Sequence, residues 1–195
     1  FHRFPVQMKW ATGSHAKISM ALDNEGYLHL SCYRRHLSEA PKPPPMALYY
    51  RSTAPHSINA FEHLHMISPE EHPHYPTYYR VGYTLFFAYR DGGSGRGDQR
   101  LNRYDAQRRA WVRTFHTPLI DGEGERSAYV YNSGMPVPGP DGRFHLLWVW
   151  RETPDHATNH SLSYARTVGD DLNRWESAAG VPVTPPFTIE NRELL

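Results

Sequence analysis

The chain has 195 residues, of which 39% are hydrophobic and 13% aromatic, and its formal net charge is +1. That length supports a real core in one or two domains, the aromatic share favours β-structure over a helical bundle, and the near-zero charge excludes a global field for nucleic acid or membrane, so any anion must be bound locally. Cys32 is the only cysteine, which excludes an internal disulfide and a multi-cysteine zinc site, and no apolar run reaches the roughly 18 residues of a membrane-spanning helix.

Residues 1–14 contain Trp10 and a Gly13-Ser14 turn but little periodicity. Residues 15–22 alternate as a short strand, Asp23 to Gly26 is a turn, and Tyr27 to Tyr33 is a second strand. Arg34, Arg35 and His36 lead into a proline-rich loop ending at Pro45, and Ala47 to Arg51 is a third strand. A long aromatic stretch follows from Tyr75. In it Leu85, Phe87 and Tyr89 alternate with Phe86, Ala88 and Arg90, the period of two that a strand requires. Asp91-Gly-Gly-Ser-Gly95 reads as a turn, so Arg90 is expected to end its strand beside a flexible loop. No later stretch carries a persuasive helical period.

The same order of elements recurs. Gly26-Tyr-Leu-His-Leu, Gly82-Tyr-Thr-Leu-Phe and Gly142-Arg-Phe-His-Leu open three units at a spacing of roughly 60 residues. After each comes another strand, beginning at Leu48, Leu101 and Leu162, and then an aromatic: Phe61, Trp111 and Trp175. Units with about four short strands each are the signature of propeller blades. Asp170 to Trp175 is similar to a degraded Asp-box, the turn that closes strands in sialidase-type propellers. The expected fold is therefore an all-β propeller, with a complete β-sandwich as the alternative. Propellers close at roughly four to eight blades, so residues 1–195 are expected to form a single propeller domain that is a piece of a larger ring.

An ordered set of motifs goes further. Tyr75-Pro76, Tyr89-Arg-Asp-Gly-Gly-Ser-Gly95, Asn102-Arg-Tyr-Asp105, Thr117-Pro-Leu-Ile-Asp-Gly122, Gly139-Pro-Asp-Gly-Arg-Phe-His145, Trp148-Val-Trp-Arg-Glu-Thr-Pro154 and Thr158-Asn-His-Ser-Leu-Ser-Tyr-Ala-Arg166 follow one another. Over roughly residues 12–180 this resembles the BNR-type seven-bladed propellers that include the ulvan lyases of polysaccharide lyase families 24 and 25. The resemblance implies β-elimination on a sulfated polysaccharide of rhamnose 3-sulfate and a uronic acid. It places a catalytic tyrosine on Tyr75, a catalytic arginine on Arg90, one histidine on His15 and a second on His36, with His29 as the other candidate. It also implies secretion or a periplasmic location, because the polymer is too large to enter a cytoplasm.

The residue types suit that reaction. Removing a proton α to a carboxylate puts a second negative charge on the intermediate. A guanidinium offsets it, its planar fork matching the two oxygens; one such preorganised donor is worth about 2.7–4 kcal/mol. Tyrosine, with a reference pKa of about 10, serves as a base only beside a cation. Histidine titrates near neutrality and suits acid–base work. Arg80, Arg96 and Arg103 are candidates to bind an anionic polymer. His160, with His145 or His156, is a weak candidate for a structural zinc or calcium ion; relatives carry a cysteine where Ser163 stands, and elimination needs no cofactor if Arg90 handles the charge. A monomer is expected, with no nucleic acid or membrane partner. Two other functions compete: a non-catalytic carbohydrate-binding propeller, and a sialidase-type hydrolase, for which Glu123, Glu125 and Glu152 are the available carboxylates.

Overall fold

The computed structural model describes residues 17–33, 47–67, 73–130 and 136–191. The described chain is made of strands: β1 (Ile18–Leu22), β2 (Leu28–Tyr33), β3 (Ala47–Ser52), β4 (Phe61–Leu64), β5 (Pro73–Val81), β6 (Thr84–Gly93), β7 (Arg96–Asp105), β8 (Ala110–Arg113), β9 (Ser127–Val130), β10 (Val137–Pro138), β11 (Phe144–Arg151), β12 (Asn159–Val168), β13 (Asp171–Glu176) and β14 (Pro182–Val183). One 3-10 turn, His156–Thr158, is the only helical element among the described residues.

The strands fall into the three units expected from the repeat. β1 to β4 pair antiparallel in chain order, and so do β5 to β8. In the third unit β9 and β10 divide one edge of β11 between them, and β12 and β13 follow on the other side, with β14 beside β13. Gly26, Gly82 and Gly142 occupy equivalent turns before β2, β6 and β11, and all three have positive φ (86°, 55° and 74°), which glycine adopts without a Cβ clash. Phe61, Trp111 and Trp175 all lie on the fourth strand of their unit. The Asp-box-like segment leaves its turn at Asp170 and forms most of β13: Asp171 Oδ1 accepts from the Asn173 backbone N–H at 2.9 Å, and the buried Trp175 ring donates to Leu172 O at 2.7 Å. The fold is thus the expected all-β propeller type rather than a sandwich of two sheets.

The core lies between units. On β6, alternate residues face opposite neighbours. Leu85, Phe87 and Tyr89 pack with Tyr49 of the first unit and with Tyr78, Tyr104 and Trp111 of their own. Phe86 and Ala88 pack with Ala128, Leu146, Trp148 and Trp150 of the third. Both tryptophans of β11 are buried, Trp148 stacking on Phe187 at 5.4 Å, so neither offers a face to a sugar.

One expectation is corrected. Arg90 does not end its strand; β6 continues to Gly93, with Gly92 opposite Gly97 and Gly93 opposite Arg96. The glycines permit this because the backbones come close: a Cβ on Gly92 would lie 2.6 Å from Arg96 O, and one on Gly97 would lie 2.8 Å from Asp91 O. The turn itself is Ser94-Gly95.

Candidate functional site

Arg90 shares the side of β6 that carries Phe86 and Ala88, so its side chain enters the seam between the second and third units. It is 5% exposed. Its Cζ lies 5.1 Å from the ring centroid of Tyr75 on β5 and 4.7 Å from that of Tyr129 on β9. Its Nε donates to Gly92 O at 3.3 Å, while Nη1 has no hydrogen-bond partner among the described residues. A buried cation with an unused donor is costly unless something else satisfies it, and the unused donor therefore points to a ligand.

Tyr75 reaches this position through a bulge. The β5–β6 register shifts between His74 and Thr77, and Tyr75 sits at φ 56°. A non-glycine residue in the left-handed region is strained by roughly 1–3 kcal/mol and persists where its surroundings over-determine it. Here the restraints are visible. Thr77 Oγ1 donates to Tyr75 O at 3.3 Å, the Lys17 ammonium donates to Thr77 Oγ1 at 2.6 Å, and the Tyr78 backbone N–H donates to Ser19 Oγ at 2.9 Å. The first unit therefore holds the bulge of the second.

Lys17, Tyr75, Arg90, Gln99, Ala128, Tyr129 and Val130 line a cavity of about 270 Å³ between the units. Among the described residues the lining contains two cations and no carboxylate. Tyr129 carries a further guanidinium, with Arg151 Cζ 3.7 Å from its centroid; its hydroxyl bonds Ser94 Oγ, which accepts from Arg151 Nη1 at 3.0 Å. Sequence reasoning had found Tyr75 and Arg90 but not Lys17, Tyr129 or Arg151. A usable signal existed for Tyr129: Ala128 and Val130 alternate with it in Ser-Ala-Tyr-Val, a short strand behind a charged loop.

The remaining candidates lie elsewhere. His15 and His36 fall outside the described residues. His29 is corrected: it is fully buried, its ring nitrogens meet Asp23 Oδ2 at 3.2 Å and the Tyr49 hydroxyl at 2.9 Å, and its ring meets Tyr104 edge-on at 4.6 Å. It has no surface for a substrate, and burial lowers its pKa, the Asp23 hydrogen bond opposing only in part. Arg80 is opposite Leu85 and Arg103 is opposite Phe86, at the far end of the strands. At about 3.3 Å per residue they lie roughly 13 Å (Arg103) and 17 Å (Arg80) along the strand from Arg90, and Arg80 is engaged with Asn24 Oδ1 and Leu22 O. Neither can share a sugar with Arg90. Arg96 does lie at the right end, on an open groove of about 570 Å³ with His74, Asp91 and Asp98.

His160 holds no metal cluster: no group of three or more suitable ligands occurs among the described residues. Its Nε2 meets Glu152 Oε1 at 2.6 Å and its Nδ1 meets Ser161 Oγ at 2.8 Å. Arg126 binds all three candidate carboxylates, Glu152 at 3.1 Å, Glu123 at 3.2 Å and Glu125 at 3.1 Å. Burial raises the pKa of Glu152, but His160 and Arg126 outweigh it and leave it lowered. No helix of the described residues is long and apolar enough to cross a membrane.

The chain belongs to the BNR repeat-containing family, whose model matches residues 1–195. No curated protein sequence matches it significantly. Among solved structures it is similar to an ulvan lyase of a polysaccharide lyase family named PL25, with a TM-score of 0.68 at 16% identity over 94% of this chain and 46% of that one. The same kind of enzyme bound to -[GlcA(1-4)Rha3S]- gives 0.67 at 17% identity, again over 94% and 46%. A protein of unknown function from Dyadobacter fermentans gives 0.55 at 16% identity over 87% and 55%. The chain spans about half the length of these structures, and at such identities the likeness establishes the fold.

Proposed function

We propose that this chain carries part of the active site of a polysaccharide lyase that cleaves a sulfated, uronate-containing polymer of the ulvan type by β-elimination. One observation carries this reading: the buried guanidinium of Arg90, with Nη1 unsatisfied, stands between two tyrosines in a cavity whose lining, among the described residues, has no carboxylate. The likeness to an ulvan lyase bound to a glucuronate–rhamnose sulfate chain supports the choice of polymer.

In this reading Arg90 holds the uronate carboxylate. The C5–H bond breaks, its electron pair becomes the C4–C5 double bond, and the C4–O4 bond breaks with its electrons passing to O4. The proton goes from C5 to a base, and O4 takes a proton from an acid. Tyr75 is proposed to make one or both transfers, and His15 and His36 to share them. The strain at Tyr75 and the clamp from Lys17 and Ser19 fit a group whose position is held before substrate arrives. A hydrolase of sialidase type is less well supported, because Glu123, Glu125 and Glu152 all face Arg126 rather than the cavity and a general acid needs a raised pKa. The reading further carries secretion or a periplasmic location for the whole protein, and no cofactor for the chemistry.

The test is incubation with ulvan. A lyase produces a conjugated, ultraviolet-absorbing unsaturated uronate. New reducing ends without that absorbance would mean hydrolysis, and retention on immobilised ulvan with neither product would mean a binding module.

A further inference from the structure

Lys17 is a cation at the same cavity, and the elimination reading uses it only as a clamp on the Tyr75 bulge. It precedes β1 and therefore comes from the first unit, whereas Arg90 comes from the second and Tyr129 from the third. Its ammonium has three donors, one of which goes to Thr77 Oγ1 at 2.6 Å. No salt bridge joins it to a carboxylate among the described residues, and the lining it shares with Tyr75 and Arg90 has none. Burial pushes its pKa below the ordinary lysine value. Two cations facing one small cavity repel each other unless an anion sits between them.

We propose that Lys17 is a second substrate-contacting cation, holding the same uronate carboxylate as Arg90 from across the boundary between units. The inference rests on the uronate reading above and adds a residue and a role to it. The two groups divide the work by chemistry: the guanidinium fork fixes the plane of the carboxylate, while the ammonium supplies a compact charge without a fixed plane.

The test separates charge from scaffold. Lys17→Gln keeps an N–H donor for Thr77 and removes the charge; Lys17→Arg keeps the charge. The probes are native ulvan and carboxyl-reduced ulvan, in which each uronate is a neutral sugar and the sulfates remain. Affinity electrophoresis in the cold measures binding to both, and the thermal midpoint of each variant checks its fold. The parental protein is expected to prefer native polymer, Lys17→Gln to weaken native binding about tenfold while leaving carboxyl-reduced binding unchanged, and Lys17→Arg to stay within about threefold of the parent. A parent with no preference, a Lys17→Gln protein that keeps the preference, or one that loses both polymers equally overturns the proposal. The outcomes also separate the two readings. A Lys17-dependent preference without any unsaturated product leaves this inference standing and removes the lyase; unsaturated product with a Lys17-independent preference does the reverse.

Discussion

Arg90 and Tyr129 meet across a unit boundary, the guanidinium carbon 4.7 Å from the ring centroid, although one residue is on β6 and the other on β9. With Tyr75 5.1 Å away on another side, the cation is held, among the described residues, by aromatic contacts and a single backbone carbonyl. The chemistry proposed for it depends on that incomplete satisfaction, and so does its cost to the fold.

Replacement of Arg90 by Met should therefore divide activity from stability. Turnover on ulvan is expected to fall by two to three orders of magnitude, about the 2.7–4 kcal/mol of one preorganised donor. The thermal midpoint should hold or rise, because a buried charge with an unused donor is replaced by an apolar chain of similar length. Parallel kinetics and calorimetry decide it; a large loss of stability would make Arg90 a structural residue.

Tyr75→Phe keeps the ring that Arg90 stacks on and removes only the phenol. Turnover should drop by about two orders of magnitude or more, as expected for loss of a general acid or base, with little change in the denaturation midpoint. Near-parental product formation would remove Tyr75 from the chemistry.

His29 sets a pH limit on the first two units. Its folded pKa lies below the ordinary 6.5 because burial disfavours the charged ring, with the Asp23 hydrogen bond only partly compensating. The unfolded chain therefore takes up a proton that the folded one resists. Stability is complete above about pH 6.5 and declines as pH falls below it toward the folded pKa. Unfolding at a series of pH values should show this decline, and His29→Gln should flatten it while lowering stability throughout, since Tyr49 and Asp23 lose their shared partner.

Gly95 is the contact point between the β6–β7 turn and the third unit. At φ 77°, a Cβ there would lie 2.5 Å from the Thr153 carbonyl carbon. Gly95→Ala is expected to destabilise by about 1–3 kcal/mol and to disturb Ser94, which links Tyr129 and Arg151. Calorimetry should register the first effect and a raised KM the second.

The sequence made the strand order legible because each unit announces itself with a glycine, a hydrophobic strand and a late aromatic. Local composition misled at Asp91 to Gly97, where glycines that look like a loop instead let two strands approach. Tyr75 and Arg90 were visible as a motif, and their meeting required only that β5 and β6 pair. Lys17 and Tyr129 were not visible, since one precedes β1 and the other lies on β9, and they reach the cavity only when the units pack. Arg80 and Arg103 illustrate the converse: their basic character suggested a site, but each pairs near the Gly82 turn, and counting along the strand from that turn would have placed them at the wrong end.

Because β6 gives Phe87 to one neighbour and Phe86 to the other, the middle unit owns no private interior. Melting of this region should then spread through nearest-neighbour coupling rather than blade by blade. A substitution such as Phe87→Ala, of a type that costs about 3–5 kcal/mol, would loosen not one unit but the alignment of the three units that bring lysine, arginine and tyrosine together.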